Sequence, residues 1–388
     1  MLKRSPQSLL LALSLTVTPI AAQVATRPPL RVVDLHGTAW ERGQQHGALL
    51  KDEIATLVER WRAEIQRDFG APLDEFVERF LAGTMFDDAV RRWTPELLDE
   101  VRGIASGSGQ PFDRMFVWQL IDEVWASGRG VMHDKCTAIG VDRLGEQPTL
   151  VAQNLDIPQM SHGFVTVLRI RDEARGLTSL VVTEPGLIAA AGLGGARIGV
   201  AVNTLLQLQP CRDGLPVAFV VRGLLQQPDH AAAIAFLQRI RHASGQNYIV
   251  GGPDAAPGHE CSANKVVRWQ PYQDAPFTFH TNNPLANDDF TAAWRERAQQ
   301  KGFDPLVGPK TCPRLAVCLQ SWTNATKPDV AAIKTLLSSR TSTPSIANDL
   351  TFASFVAVLG EKPELHIAPG RPDVTAFEIV RCEPDAAK

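Results

Sequence analysis

Downstream of Asp134 the chain breaks into short β-rich runs at 136–141, 149–154, 164–170, 177–183, 187–193 and 198–203, set apart by turn residues. A parallel crossover needs about a dozen residues or more, and these gaps are shorter. The stretch is therefore restricted to strands that pair antiparallel, and a β-meander is expected.

Upstream the periodicity is helical. Between residues 40 and 69 the apolar side chains Leu50, Ile54, Leu57, Val58, Trp61 and Ile65 recur at three and four, predicting one amphipathic helix. A second helix is predicted from Thr94-Pro95, with Leu97, Leu98, Val101 and Ile104 as its stripe, and a third over 113–125. Gly43 and Gly47 lie one turn apart, where the lack of a side chain lets another backbone come close. Beyond the meander, Asp229 caps a predicted helix over 230–242. Strands return from Tyr248 and at 266–269, 277–281, 352–359, 364–368 and 375–380, with helical patterns at 292–300 and 329–337 between them. Helices and antiparallel strands in alternating blocks predict an α+β protein of stacked sheets covered by helices on both outer faces.

Lys3 and Arg4, an apolar stretch over 9–17 and Ile20-Ala21-Ala22 before Gln23 form the pattern of a secretory signal over residues 1–22. The stretch is shorter than the ~20 residues that span a bilayer and is interrupted by Ser14, Thr16, Thr18 and Pro19. The product is expected in a periplasm or outside the cell, with no membrane span in the mature form. Such a compartment permits disulfides. Cys312 and Cys318 are near in sequence, Cys211 and Cys261 could meet in space, and the pairing stays open. With 39 Lys+Arg against 42 Asp+Glu, bulk positive charge cannot hold a nucleic acid. No H-E-x-x-H, P-loop or G-x-S-x-G occurs, and the histidines lack metal-ligand spacing. No cofactor and no metal are expected. The glycines from Gly192 to Gly199 read as a hairpin turn, because a strand follows where a nucleotide loop needs a helix.

The boundary between the two regimes falls on His133-Asp134-Lys135-Cys136-Thr137, so a cysteine opens the first strand. Later strands end on polar groups: Gln153-Asn154-Leu155-Asp156, Gly199 to Asn203, and Thr281-Asn282-Asn283-Pro284. Taken with Leu35-His36-Gly37-Thr38, Glu41-Arg42-Gly43-Gln44-Gln45-His46-Gly47, Thr351-Phe352-Ala353-Ser354 and Ala368-Pro369-Gly370, this series resembles the acyl-CoA:6-aminopenicillanate (isopenicillin N) acyltransferase family. That family belongs to the autoproteolytic N-terminal-nucleophile hydrolases and is related to choloylglycine hydrolases.

The resemblance implies a four-layer αββα fold with two stacked antiparallel sheets. It implies a helical segment over 23–135 and a catalytic core over 136–388, which stay associated after cleavage between Lys135 and Cys136. Cys136 would be the nucleophile, and its freed α-amine, with a reference pKa near 8, the base. Asp156 matches the aspartate that holds this amine. Asn282 and Asn203 match the asparagines of the oxyanion region, with Asn283 a rival at the first position. Arg314, or Arg340 in its place, would orient Asp156 or a substrate carboxylate. Gln153 stands where bile salt hydrolases place an arginine, and Lys135 where many relatives have glycine. His133 and Asp134 are neighbours that could assist cleavage. The expected activity is cleavage or transfer of an acyl group from a small N-acyl amide of the amino acid, peptide or β-lactam type. The alternatives are a lipid amidase resembling acid ceramidase and an exported binding protein that kept the fold.

Overall fold

The computed structural model describes residues 30–127, 136–272, 274–306, 308, 312–323 and 326–383. The leader expected over 1–22 and the residues His133, Asp134 and Lys135 lie outside them.

Two sheets form the centre. The larger runs in the order β1 (Arg31–Leu35), β4 (Thr166–Asp172), β5 (Leu177–Thr183), β6 (Ala191–Gly194), β7 (Ile198–Thr204), β8 (Gln246–Gly251), β9 (Gly258–Cys261) and β10 (Val266–Trp269). From β4 to β7 each strand pairs antiparallel with the next across short gaps, and the later strands also pair antiparallel, although residues 205–245 intervene between β7 and β8. The runs at 136–141 and 149–154 join the smaller sheet, so the single meander expected over 136–203 is divided between the two sheets. The smaller sheet runs β11 (Phe277–His280), β2 (Thr137–Val141), β3 (Leu150–Asp156), β12 (Thr351–Val358), β13 (Glu364–Ala368) and β14 (Glu378–Arg381), antiparallel throughout.

Neighbouring residues of one strand serve different layers, the consequence of a side-chain period of two. Val167 and Leu180 of the larger sheet meet Val151, Leu155 and Phe355 of the smaller in a core between the sheets. Leu168 and Val181, one residue along, face a second core under α1 (Ala39–Leu49), α2 (Lys51–Phe69), α3 (Leu73–Ala82), α4 (Phe86–Trp93), α5 (Pro95–Ser108), α6 (Phe112–Trp118), α7 (Ile121–Ser127), α8 (Val217–Leu225) and α9 (His230–Arg239). Ile139, Ala152 and Val356 face a third core under α11 (Pro313–Ser321) and α12 (Val330–Leu337), while α10 (Ala292–Lys301) packs Trp294 on Leu208 and Phe290 at the edge. The layer order is αββα.

Three further expectations change. The segment ahead of Cys136 is not wholly helical, because β1 joins the larger sheet parallel to β4 at its edge. The long helix expected over 40–69 is two, since Leu50 leaves helical dihedrals (φ −116°, ψ 25°) and sinks into the core. The division lets α1 cross α5 while the apolar stripe of α2 faces the sheet. That crossing is as close as Gly43 and Gly47 suggested. A Cβ on Gly43 would lie 1.9 Å from the carbonyl oxygen of Glu100, and one on Gly47 2.4 Å from that of Ile104. Finally, all six cysteines are free thiols, so neither candidate disulfide forms.

Candidate active site

Register brings the central residues together. Ala138 on β2 pairs with His280 on β11, so Cys136 and Asn282 continue from adjacent strand ends. Thr137 pairs with Asn154 on β3, which places Asp156, the last residue of β3, beside them. These strand ends meet although Cys136 and Asn282 are 146 residues apart in sequence.

Each main-chain and side-chain group of Cys136 is fixed. Its N–H donates to Asn282 Oδ1 at 2.9 Å, and its Sγ lies 3.8 Å from the main-chain oxygen of Asp156. Its carbonyl accepts from Arg314 Nη1, which also donates to Thr137 Oγ1 at 2.9 Å. Arg314 Nη2 donates to Asn282 Oδ1 at 3.0 Å. Asn282 Nδ2 in turn donates to the carbonyl of Thr204 at 3.1 Å. The carboxylate of Asp156 accepts from Asn348 Nδ2 at 2.6 Å.

Burial pushes the Cys136 thiol up to about 12, helped by the charges of Asp156 and Asp122 and opposed by the Asp156 main-chain bond and Arg314. Near neutral pH the sulfur therefore holds its proton, and it becomes a nucleophile only if a base beside it takes that proton.

Cys136, Asp156 and Asn282 share a cavity whose walls are largely apolar, among them Ile121, Trp125, Leu187 and Phe352. The same cavity is lined by two further acids that the sequence reading did not single out, Asp122 on α7 and Glu184 just after β5. Asp122 accepts from Thr204 Oγ1 at 2.8 Å, and burial raises its carboxyl above the usual range. Glu184 is 3% exposed, and burial pushes its carboxyl to about 7, against a bond from Ser161 and with the charge of Glu64 adding to the rise. Its loop is clamped from two sides. Gly186 N–H donates to His46 Nε2 at 2.9 Å, and Gln119 donates to Gly186 O and accepts from Ile188 N–H, both at 2.8 Å. Burial holds His46 neutral, down to about 4, so it serves as an acceptor. An acid at a strand end before Pro185-Gly186 and an Asp-Glu pair within an apolar helix were the signals available for these residues.

Of the residues proposed from sequence, Cys136, Asp156, Asn282 and Arg314 come together. Arg314 is fully buried and braces Cys136 and Asn282, while Arg340 lies at the surface, 3.6 Å from Asp373. Asn203 is turned away from the cavity, accepting from Asn247 Nδ2 at 3.0 Å and donating to the carbonyl of His280 at 3.5 Å. Asn283 accepts from Gln207 Nε2 at 3.1 Å and does not line the cavity. Gln153 ties the two sheets by accepting from Val202 N–H at 2.9 Å and donating to Val202 O. Among the described residues no group of three His, Cys, Asp or Glu side chains is placed to hold a metal, and no helix is long and apolar enough to cross a membrane.

No protein-family model matches the chain, and no curated protein matches it. Among solved structures it is similar to an N-acylethanolamine-hydrolyzing acid amidase ortholog from Caenorhabditis elegans. The match covers 63% of this chain and 99% of that one, at 18% identity and a TM-score of 0.42. A likeness at that level carries no function across. What bears on function is the αββα layering and the surroundings of Cys136.

Proposed function

We propose that this chain is an exported proenzyme of the N-terminal-nucleophile kind, an amidohydrolase or acyltransferase that works through Cys136. The observation that carries the reading is the environment of that residue. Its nitrogen, sulfur and carbonyl are each held by a neighbour beside a cavity, and burial pushes its thiol up to about 12, so that attack requires a base.

Cleavage of the 135–136 bond would supply that base. The thiol attacks the carbonyl of Lys135, a C–S bond forms, the C–N bond breaks and the nitrogen of Cys136 takes the proton. Water then cleaves the thioester, leaving a carboxylate on Lys135 and a free amine and thiol on Cys136. The new amine arises where the N–H already points at Asn282 Oδ1 and beside Asp156. It accepts the thiol proton as Sγ attacks a substrate carbonyl, and returns it to the leaving amine. The acyl group then passes from Sγ to water, or to a second amine. Asn282, whose Nδ2 donates to the carbonyl of Thr204, is the side chain assigned to the substrate carbonyl oxygen as charge develops on it. Asn203, which faces the inter-sheet layer, would act on this region only through Asn247 and His280. Arg314 holds Asn282 and the first strand in place.

Intact-mass analysis of wild type beside Cys136→Ala tests this. Two chains split before Cys136 in wild type, one chain in the variant, and amide turnover by the split form alone are the expected result. A single chain in both, with no turnover on an amide panel, overturns it in favour of non-catalytic binding. Fully active material in which residue 136 is still joined to residue 135 overturns the mechanism.

A further inference from the structure

The cavity beside Cys136 carries an uneven charge. Three carboxyl groups line it, those of Asp122, Asp156 and Glu184, and among the described residues no lysine, arginine or histidine does. Arg314 spends its two terminal nitrogens on the neutral acceptors of Cys136, Thr137 and Asn282 and does not line the cavity, so it is not the cation seated against these carboxyls. On the proposed mechanism, on which this inference rests, the α-amine of Cys136 balances Asp156, and Asp122 is bonded to Thr204. Glu184 remains.

Its position is built. The residue is 3% exposed, its Oε2 has no hydrogen-bond partner, and the main chain just after it is clamped at Gly186 and Ile188 by His46 and Gln119. A buried acceptor without a donor is costly, and such a group is expected to be satisfied by something absent from the free protein. The side chains around the cavity are otherwise mostly apolar, so the missing partner must arrive with the ligand.

We propose that the cavity takes amides bearing an ammonium group, that Glu184 seats this group, and that amides placing a carboxylate in the cavity are rejected. The aliphatic or aromatic part of such a substrate meets Ile121, Trp125, Leu187 and Phe352, while its cation supplies the donor that Oε2 lacks. A second negative charge near Asp122 and Glu184 would meet like charge with little water to screen it. The upward push that burial gives the Glu184 carboxyl fits the same picture, because an ammonium beside it would favour the ionised form that burial disfavours.

The test uses two matched series on the purified full chain. One varies the acyl end: hexanoyl, 6-aminohexanoyl and 5-carboxypentanoyl anilide. The other varies the amine end: N-acetylhexylamine, N-acetyl-1,6-diaminohexane and N-acetyl-6-aminohexanoate. In at least one series the cationic member should exceed the neutral one in kcat/KM by roughly tenfold or more, the scale of a charge-assisted bond, and the anionic member should be the poorest. Glu184→Gln, nearly isosteric, should abolish this preference, with the loss for the cationic members carried by KM. Neutral or anionic members equal to the cationic one in both series, or a cation preference that persists in Glu184→Gln, overturn the proposal. Wild type alone decides the charge class should the variant not fold. If the chain is not split and turns over nothing, the hydrolase reading fails separately. Calorimetry with the two cationic amides then decides this one: binding that Glu184→Gln weakens supports it, and no binding, or binding insensitive to the variant, overturns it.

Discussion

Two sets of buried acids sit in and beneath the same helical layer, and they are treated in opposite ways. Glu100 on α5 is fully buried, yet both its oxygens accept from Arg222 Nη2 at 3.0 Å, and Arg42 Nη2 lies 3.3 Å from Oε2. Burial pushes its carboxyl up, but the two guanidiniums outweigh this and hold it below the usual range. Around the cavity the balance is reversed. Burial wins at Asp122 and Glu184, and at Glu123 it raises the carboxyl to about 8 with help from Asp122. The first set is a closed network that joins α1, α5 and α8. The second keeps acceptor capacity in reserve, with Oε2 of both Glu123 and Glu184 unpartnered. Depth alone does not determine what a buried charge is for; the partners do.

The difference can be broken most severely at Glu100. Glu100→Ala leaves Arg222 buried without a counter-charge and should destabilise the protein by about 3–5 kcal/mol, read from the shift in denaturant midpoint. Adding Arg222→Met should recover part of that loss, because the stranded charge goes with it.

Glu184 should show the opposite sign. Its carboxyl in the folded protein is raised from 4.5 to about 7, so the native state binds a proton the unfolded chain has lost, and stability falls as pH rises through that window. At about 1.4 kcal/mol per pH unit the loss is on the order of 3 kcal/mol. Glu184→Gln is therefore expected to match wild type near pH 4 and to be more stable at pH 8, measured as the difference in thermal midpoint across that range. Equal midpoints at both pH values would show that Glu184 has a partner after all.

The smallest effect belongs to a pair of the same chemistry at the surface. Arg241 contacts both oxygens of Asp213 at 2.6 Å, with side chains 48% and 42% exposed. Asp213→Asn should cost less than about 1 kcal/mol, and less still at high salt, because water already solvates both partners.

Much of the layer order was legible because it depends on periodicity. The meander from β4 to β7 follows from gaps too short for crossovers, and Asp229 marks the start of α9 by capping Ala232 N–H at 2.8 Å. Helix α8 was not read, since Val217–Leu225 is apolar on nearly every side, with Arg222 as its one charged residue, and so has no polar face to count. Nor was β1, whose pairing with β4 across residues 36–165 has no local signature. Within the site, Cys136 stood out by its place at the change of regime. Asn348 and Glu184 did not, because each is an ordinary polar residue until the fold buries it.

The sequence by itself determined the period of each segment, and with it which residues must face apolar layers and which strands could pair only with their neighbours. It also placed a cysteine at the junction of the two regimes, since composition and spacing are local properties. Only the tertiary structure decided which charges are compensated. Packing of the helices brought Arg314 onto Cys136 and Arg222 onto Glu100 while leaving Oε2 of Glu184 without a donor, because desolvation and pairing depend on distances between segments far apart in the chain.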